Sequence, residues 1–259
     1  MNVDSIRSYL PTKYQDIPVH IFDTLDSTNT YARELNDAPH GTIIISHQQT
    51  GGRGRLGRSF HSPKDGIYMS IVIKPDFDPA KITLVTSAAA VAVCSAIKSV
   101  CNLDAGIKWV NDIYIENRKV CGILTEGITD YETGQISRII VGIGINTDVS
   151  NFPDELTSIA GAVTGNYAKS ELAATVIAKT LDYISEIEEH SFITKYKEKS
   201  IVIGKTVQVY KGTYKRSPSE ELPSRDAKVL NIDENGGLIV LYSDGTQEIL
   251  ISGEITLRL

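Results

Sequence analysis

The sequence predicts an α+β protein: a mixed, mostly antiparallel sheet with helices packed on it, followed by a small C-terminal β-barrel. Three features support this class. Short Ile- and Val-rich runs recur between turn residues up to Asn146, at strand length. Two longer segments, one opening at Pro79 and one at Ser170, have helical length and pattern. After Ser200 the texture changes to brief β-rich segments separated by hairpin-type turns.

The elements follow in order. Apolar residues of Pro18–Phe22 predict a first strand, and Leu25–Thr30 supplies capping residues for a short helix from Tyr31 to Leu35. Thr42–Ser46 and Ile67–Ile73 read as buried strands. Pro79 opens an Ala-rich helix running to about Val100. Residues 106–144 form a strand-rich block, with Ile113–Ile115, Val120–Leu124 and Ile136–Ile145 separated by turns at Glu116–Arg118 and Thr129–Gly134. Ser170 caps an amphipathic helix through Ile187. Five strands follow at Thr206–Tyr210, Ala227–Ile232, Leu238–Tyr242, Gln247–Ile251 and Ile255–Leu257, with tight turns at Asn235–Gly237 and Ser243–Gly245. The predicted division is a larger domain over 1–203 and the barrel over 204–259.

Bulk properties narrow the class. A chain of 259 residues, 41% hydrophobic and 22% charged, builds a core without staples. The three cysteines, Cys94, Cys101 and Cys121, make no CxxC pair, and the N-terminus has no apolar leader. No stretch is expected to reach the roughly 18 apolar residues of a membrane helix. These points predict a cytoplasmic protein with no membrane partner. The net charge of −6 gives no global basic footprint for nucleic acid, so phosphate binding requires a local group of cations.

Such a group stands at Gln48–Arg58, QQTGGRGRLGR. Glycine lets backbone approach a ligand closely, and arginine supplies paired donors suited to carboxylate and phosphate. No acid interrupts the run, which reads as an anion-binding loop rather than a merely solvated one. Gly52–Gly57 also fits GxGxxG, but a helix should follow that fingerprint, and here a strand follows. Gly204-Lys205-Thr206 matches the end of a P-loop, but Lys199 stands where its first glycine belongs.

Two more constellations carry chemistry. Lys108-Trp109-Val110-Asn111-Asp112 leads into Arg118-Lys119-Val120-Cys121-Gly122. If these form a hairpin, Lys119 sits near Lys108, Asn111 and Asp112, placing cations and a carboxylate in one cleft. Gly142-Ile143-Gly144-Ile145-Asn146 puts alternate glycines on one strand face, a trough for a planar ligand or room for a packed helix. The five histidines show no metal spacing, and no metal site is predicted.

Together these motifs resemble those of the biotin–protein ligases. Gln49–Arg58 is similar to that family's GRGRxGR loop, Lys108–Asp112 to its KWPND motif, Lys119–Gly122 to the lysine and glycine after it, and Gly142–Asn146 to its GxGxN strand. Ser27-Thr28-Asn29 resembles its STN motif, and the barrel its SH3-like C-terminal domain. Val110 departs from the family's usual proline. The segment after Tyr210 is longer than the barrel needs.

The resemblance implies activation of biotin by ATP, with Mg²⁺, to biotinyl-5′-AMP. Transfer then goes to a lysine of the biotin carrier domain of a carboxylase such as acetyl-CoA or pyruvate carboxylase. It implies that Ser27, Thr28, Asn29, Gln49, Gly52, Arg53, Gly54, Arg55 and Lys119 bind biotin over a floor of Gly122, Gly142 and Gly144. Arg53, Arg55, Arg58, Phe60, Lys108, Asn111, Lys119 and Asn146 would serve ATP and the adenylate. Lys119 and Arg55 would act in catalysis, with Asp112 orienting or deprotonating the carrier lysine. A homodimer is compatible with the family. Only about 25 residues precede Ser27, fewer than the roughly 50 of a folded domain, so a ligase without the N-terminal DNA-binding domain, and no specific DNA binding, is expected. Lipoate ligases and octanoyltransferases share the implied fold. The Gly/Arg loop and the KWxND pair favour biotin over them. The adenylate wall of lysines and asparagines favours an enzyme over a storage protein.

Overall fold

A computed structural model describes residues 1–78, 81–130, 132–210, 223–251 and 253–257. Pro79 and most of the long segment after Tyr210 lie outside these described residues, as does Tyr131 within the predicted turn at Thr129–Gly134.

Seven strands build the main sheet: β1 (Val19–Phe22), β2 (Ile43–Ser46), β3 (Ile67–Ile73), β4 (Gly106–Lys108), β5 (Asp112–Ile115), β6 (Arg118–Thr129) and β7 (Ile136–Ile145). They lie in the order β1-β2-β3-β7-β6-β5-β4. Only β1 and β2 pair parallel; every other pair is antiparallel. The central strands are apolar at successive positions because both faces are covered. Ile43, Ile45, Ile71, Ile73, Ile139 and Val141 face one core. The alternate Ile44, Val72 and Ile140 face a second core beneath α2 (Thr28–Glu34), with its Ala32. The first core lies against α3 (Ile82–Ala96) and α5 (Lys169–Ser185).

The long Ala-rich helix is α-helical only to Ala96. A π-helical turn, Ile97–Cys101, completes it and ends at Asn102 in the left-handed region, φ 54°. By length and composition alone, Ile82–Cys101 could cross a membrane, with a mean hydropathy of 1.8. This corrects the expectation that no stretch comes close. Its apolar character has another physical cause, since from Leu84 to Ile97 nearly every residue is buried in the core. α5 starts at Lys169, preceded by an extended Ala168, so Ser170 is not its cap; Glu171 instead puts an acid in the first turn, where the helix dipole favours it. The β5–β6 turn is Glu116–Asn117, with φ of 47° and 65°, the double left-handed conformation of a tight hairpin.

Three short helices escaped the sequence reading: α1 (Val3–Arg7), α4 (Asp154–Thr157) and α6 (Ile193–Lys199). The C-terminal unit is an antiparallel sheet of β8 (Thr206–Tyr210), β9 (Ser224–Ile232), β10 (Leu238–Tyr242), β11 (Gln247–Leu250) and β12 (Glu254–Leu257), in the order β11-β10-β9-β8-β12. It meets the main sheet at its β9–β10 turn, where Trp109 Nε1 donates to Gly236 O at 2.9 Å.

Candidate active site

A cleft opens over β6 and β7, walled by α2, by the Gly/Arg loop and by the corner between β4 and β5. Gly253 and Ile255 of the C-terminal unit close one side. Strand geometry fixes its floor. In the register of β6 and β7, Gly122 pairs with Gly144 and Leu124 with Gly142, so a two-residue period brings these positions to one face. The glycines are needed there. A Cβ on Gly144 would lie 2.5 Å from Phe60 Cε1, and one on Gly122 would lie 3.0 Å from Phe60 Cε2. A Cβ on Gly142 would collide with the Asn29 amide. The glycines thus make room for the Phe60 ring and, at Gly142, for Asn29 of the helix α2, in line with the packed-helix alternative.

The α2 wall begins at Ser27, whose extended backbone and Oγ, 3.4 Å from Thr30 N, cap the helix. Thr28 and Asn29 thus sit buried in the first turn. Gln49 Oε1 accepts from Thr28 N at 2.8 Å, and Gln49 Nε2 lies 3.0 Å from Ser62 Oγ. Ser70 of β3, fully buried, places its Oγ 2.6 Å from Asn29 Oδ1 and 2.8 Å from Thr28 Oγ1. Tyr68 lies edge-on to Phe60 and donates to Pro63 O; burial pushes its hydroxyl pKa well up, so it stays protonated.

Opposite stands a polar corner. Lys119 Nζ lies 2.7 Å from Asp112 Oδ1 and 5.7 Å from the Phe60 ring centre. Lys108 pairs with Asp112 across β4 and β5, and its Nζ lies 5.9 Å from the Tyr114 ring. Burial first, then the Asp112 charge, pushes the Tyr114 hydroxyl up to about 12. Asn111 Nδ2 donates to Ile123 O at 2.8 Å and its Oδ1 accepts from Arg55 Nη1 at 3.3 Å, tying the loop to this corner. The peptide between Trp109 and Val110 is cis, and Val110 O accepts from the buried Tyr196 hydroxyl at 2.9 Å.

Of the residues singled out from sequence, Ser27, Thr28, Asn29, Gln49, Arg53, Gly54, Arg55, Arg58, Phe60, Lys108, Asn111, Asp112, Lys119, Gly122, Gly142 and Gly144 line this one cleft. Two lie elsewhere. Gly52 is buried beside the wall, where a Cβ would meet the Phe60 carbonyl and Ser62 Oγ; its lack of a side chain lets the loop pack. Asn146, expected to face a nucleotide, follows β7 and is not among the residues that line the cleft. Its Nδ2 donates to Gly161 O at 3.1 Å and Lys119 O at 3.4 Å, tying it to the Lys119 backbone.

Glu126 was missed. It accepts from Arg33 Nη2 at 2.6 Å, from Asn29 Nδ2 at 2.7 Å and from Arg53 Nη2 at 3.2 Å. The available signal was its position two beyond Leu124 on the cleft face of β6, once that strand is carried on to Thr129.

A narrow cleft with a backbone floor, hydroxyl and amide groups on one wall, and lysines and arginines near a carboxylate on the other suits a compact polar ring joined to anionic groups. Comparison with known proteins agrees. The chain is 38% identical over 169 residues to the bifunctional ligase/repressor BirA of Bacillus subtilis, a match covering 63% of this chain and 51% of that protein. It is 32% identical over 141 residues to a biotin–[acetyl-CoA-carboxylase] ligase of Paracoccus denitrificans, covering 53% and 55%. The chain thus spans about half the length of these curated relatives. The structure of biotin protein ligase from Aquifex aeolicus in complex with biotin and ATP superposes with a TM-score of 0.76 at 26% identity, covering 93% of this chain and 98% of that one. Residues 21–146 match the model of the biotin/lipoate A/B protein ligase family.

Proposed function

We propose that the protein is a biotin–protein ligase, which joins biotin to ATP as biotinyl-5′-AMP and passes the biotinyl group to a lysine of a biotin carrier domain. The observation that carries this reading is the meeting of Lys119, the loop arginines and the glycine floor in one cleft, far apart in sequence though they are. The chemistry explains the residue types. A carboxylate attacking an α-phosphate brings two anions together, and fixed cations offset that repulsion most strongly as charge builds on the transferred group. Lys119, 2.7 Å from Asp112, would turn to the two anions, and Arg55, braced on Asn111, would hold the loop over them. Phe60 would leave the glycine floor as the ligand's ring enters, and stack on adenine. Thr28, Gln49 and Asn29 would hold the ring's polar edge. Asp112, released by Lys119, would orient the incoming carrier amine. Mg²⁺ would neutralise the triphosphate; among the described residues no three His, Cys, Asp or Glu side chains converge on a site, so its ligands would come mainly from the phosphates.

The reading treats 1–203 as the catalytic unit and 204–259 as an SH3-like unit beside it. It includes no specific DNA binding, on the acidic balance of −6. The matched family model is described for biotin and lipoate ligases alike, and the test separates the two. With ATP and a purified carrier domain, biotin should add one biotinyl mass to a single lysine. A carrier labelled by lipoate or octanoate, and not by biotin, would replace this reading.

A further inference from the structure

Glu126 closes a chain of hydrogen bonds whose direction decides what the cleft can recognise. Glu126 Oε2 lies 2.7 Å from Asn29 Nδ2. Asn29 Oδ1 lies 2.6 Å from Ser70 Oγ, and Ser70 Oγ lies 2.8 Å from Thr28 Oγ1. A carboxylate between two guanidinium groups has no proton to give; it can only accept. It therefore turns the Asn29 amide so that Nδ2 faces it, an orientation that Leu124 O supports at 3.3 Å. Asn29 Oδ1 must then accept, and the single Ser70 proton goes to it. The 2.8 Å contact between Ser70 and Thr28 is then closed by the Thr28 proton. Gln49 Oε1 accepts from the Thr28 backbone N–H at 2.8 Å and lies 3.2 Å from Thr28 Oγ1, a longer alternative for the Thr28 proton than Ser70 Oγ. The Thr28 hydroxyl, which lines the cleft, is left with its lone pairs and no proton for a ligand.

We infer that Glu126 is a positioning residue, which sets the direction of the Asn29–Ser70–Thr28 chain so that Thr28 offers the cleft an acceptor and the site takes a ligand with an N–H edge. This rests on the biotin reading and deepens it, since the ureido ring of biotin has N–H groups on its edge. The same carboxylate keeps Arg53 at the rim, 3.2 Å away, so one group orders both the wall and the loop.

Glu126→Gln keeps the size and reverses the instruction. Its single oxygen is claimed by Arg33 and Arg53, its NH₂ faces Asn29, and the amide turns over. The Ser70 proton then passes to Thr28 Oγ1, whose own proton turns to Gln49 Oε1 or the ligand, so Thr28 loses an acceptor lone pair. Biotin binding is measured by calorimetry in the wild type, Glu126→Gln, Thr28→Val and the double variant, with a thermal melt of each. The expected result is a loss of about tenfold or more for Glu126→Gln, the scale of one mismatched buried hydrogen bond. On the Thr28→Val background, the same substitution should add less than about twofold, because the group it acts through is gone. ATP binding should hold within about twofold. An unchanged affinity in Glu126→Gln, or an equal loss on both backgrounds, overturns the inference. Should Glu126→Gln melt below the assay temperature, Ser70→Ala breaks the same chain and is read by the same cycle. A wild type that binds ATP but no biotin overturns the biotin reading, and this inference with it; tight wild-type binding with no coupling overturns the inference alone.

Discussion

At the scale of single residues, the proposed mechanism rests most heavily on Lys119. Its Nζ sits 2.7 Å from Asp112, and Asn146 Nδ2 donates to its backbone carbonyl at 3.4 Å. Lys119→Ala should leave the melting temperature nearly unchanged and lower adenylate formation by 10²–10³, the worth of about 3–4 kcal/mol for a fixed cation at a developing charge. Single-turnover rates measure this, and a rate near the wild type's would remove Lys119 from the mechanism. The thiols give a second test. Burial raises Cys94 to about 12, Cys101 to about 11, and Cys121 well above its ordinary value. Only the thiolate reacts, so at pH 8 the folded protein should consume almost no thiol reagent, while all three cysteines should react in denaturant. Lys119 and Asp112 were legible in the sequence because a tight turn put them on paired strands. Glu126 was not, because the predicted strand stopped at Leu124 and left that carboxylate outside any pattern.

At the scale of elements, the proposed reading lays the ligand on the floor made by β6 and β7. Gly144→Ala puts a methyl group where the Phe60 ring lies, 2.5 Å from its Cε1. The ring sits at the end of a side chain that can swing away, so the fold should tolerate the change. The methyl then occupies the trough itself. Biotin affinity should fall by about tenfold or more while the melting temperature moves little, the cost of a ligand held off its backbone floor being of order 1–3 kcal/mol. Calorimetry decides, and an unchanged affinity would mean that the ligand does not lie against β7. The long strands and hairpin turns were legible because their apolar runs and turn residues are strong signals. α1, α4 and α6 are only 5, 4 and 7 residues long, too short for a helical period to show. The π-helical end of the Ala-rich helix escaped because an apolar run looks the same in either helix.

At the scale of the whole molecule, the two sheets are clasped at the cleft. Trp109, inside the KWVND segment, donates its indole N–H to Gly236 O of the C-terminal unit, and Gly253 and Ile255 help close the cleft. Trp109→Phe keeps a ring but orphans that buried carbonyl, at about 1–3 kcal/mol. In a protein of this size each 1 kcal/mol moves the melting temperature by about 2–4 °C, so a calorimetric scan should show a fall of a few degrees. No fall would mean that the clasp contributes nothing to stability. The change to β-rich texture after Ser200 was legible. The clasp was not, because nothing in a sequence pairs an indole with a carbonyl over a hundred residues away. The central claim, that this cleft activates biotin with ATP, is tested most directly by exchange of labelled pyrophosphate into ATP. Exchange that depends on biotin, is absent with octanoate or lipoate alone, and is lost in Lys119→Ala is the predicted result; exchange supported by octanoate or lipoate and not by biotin would contradict it.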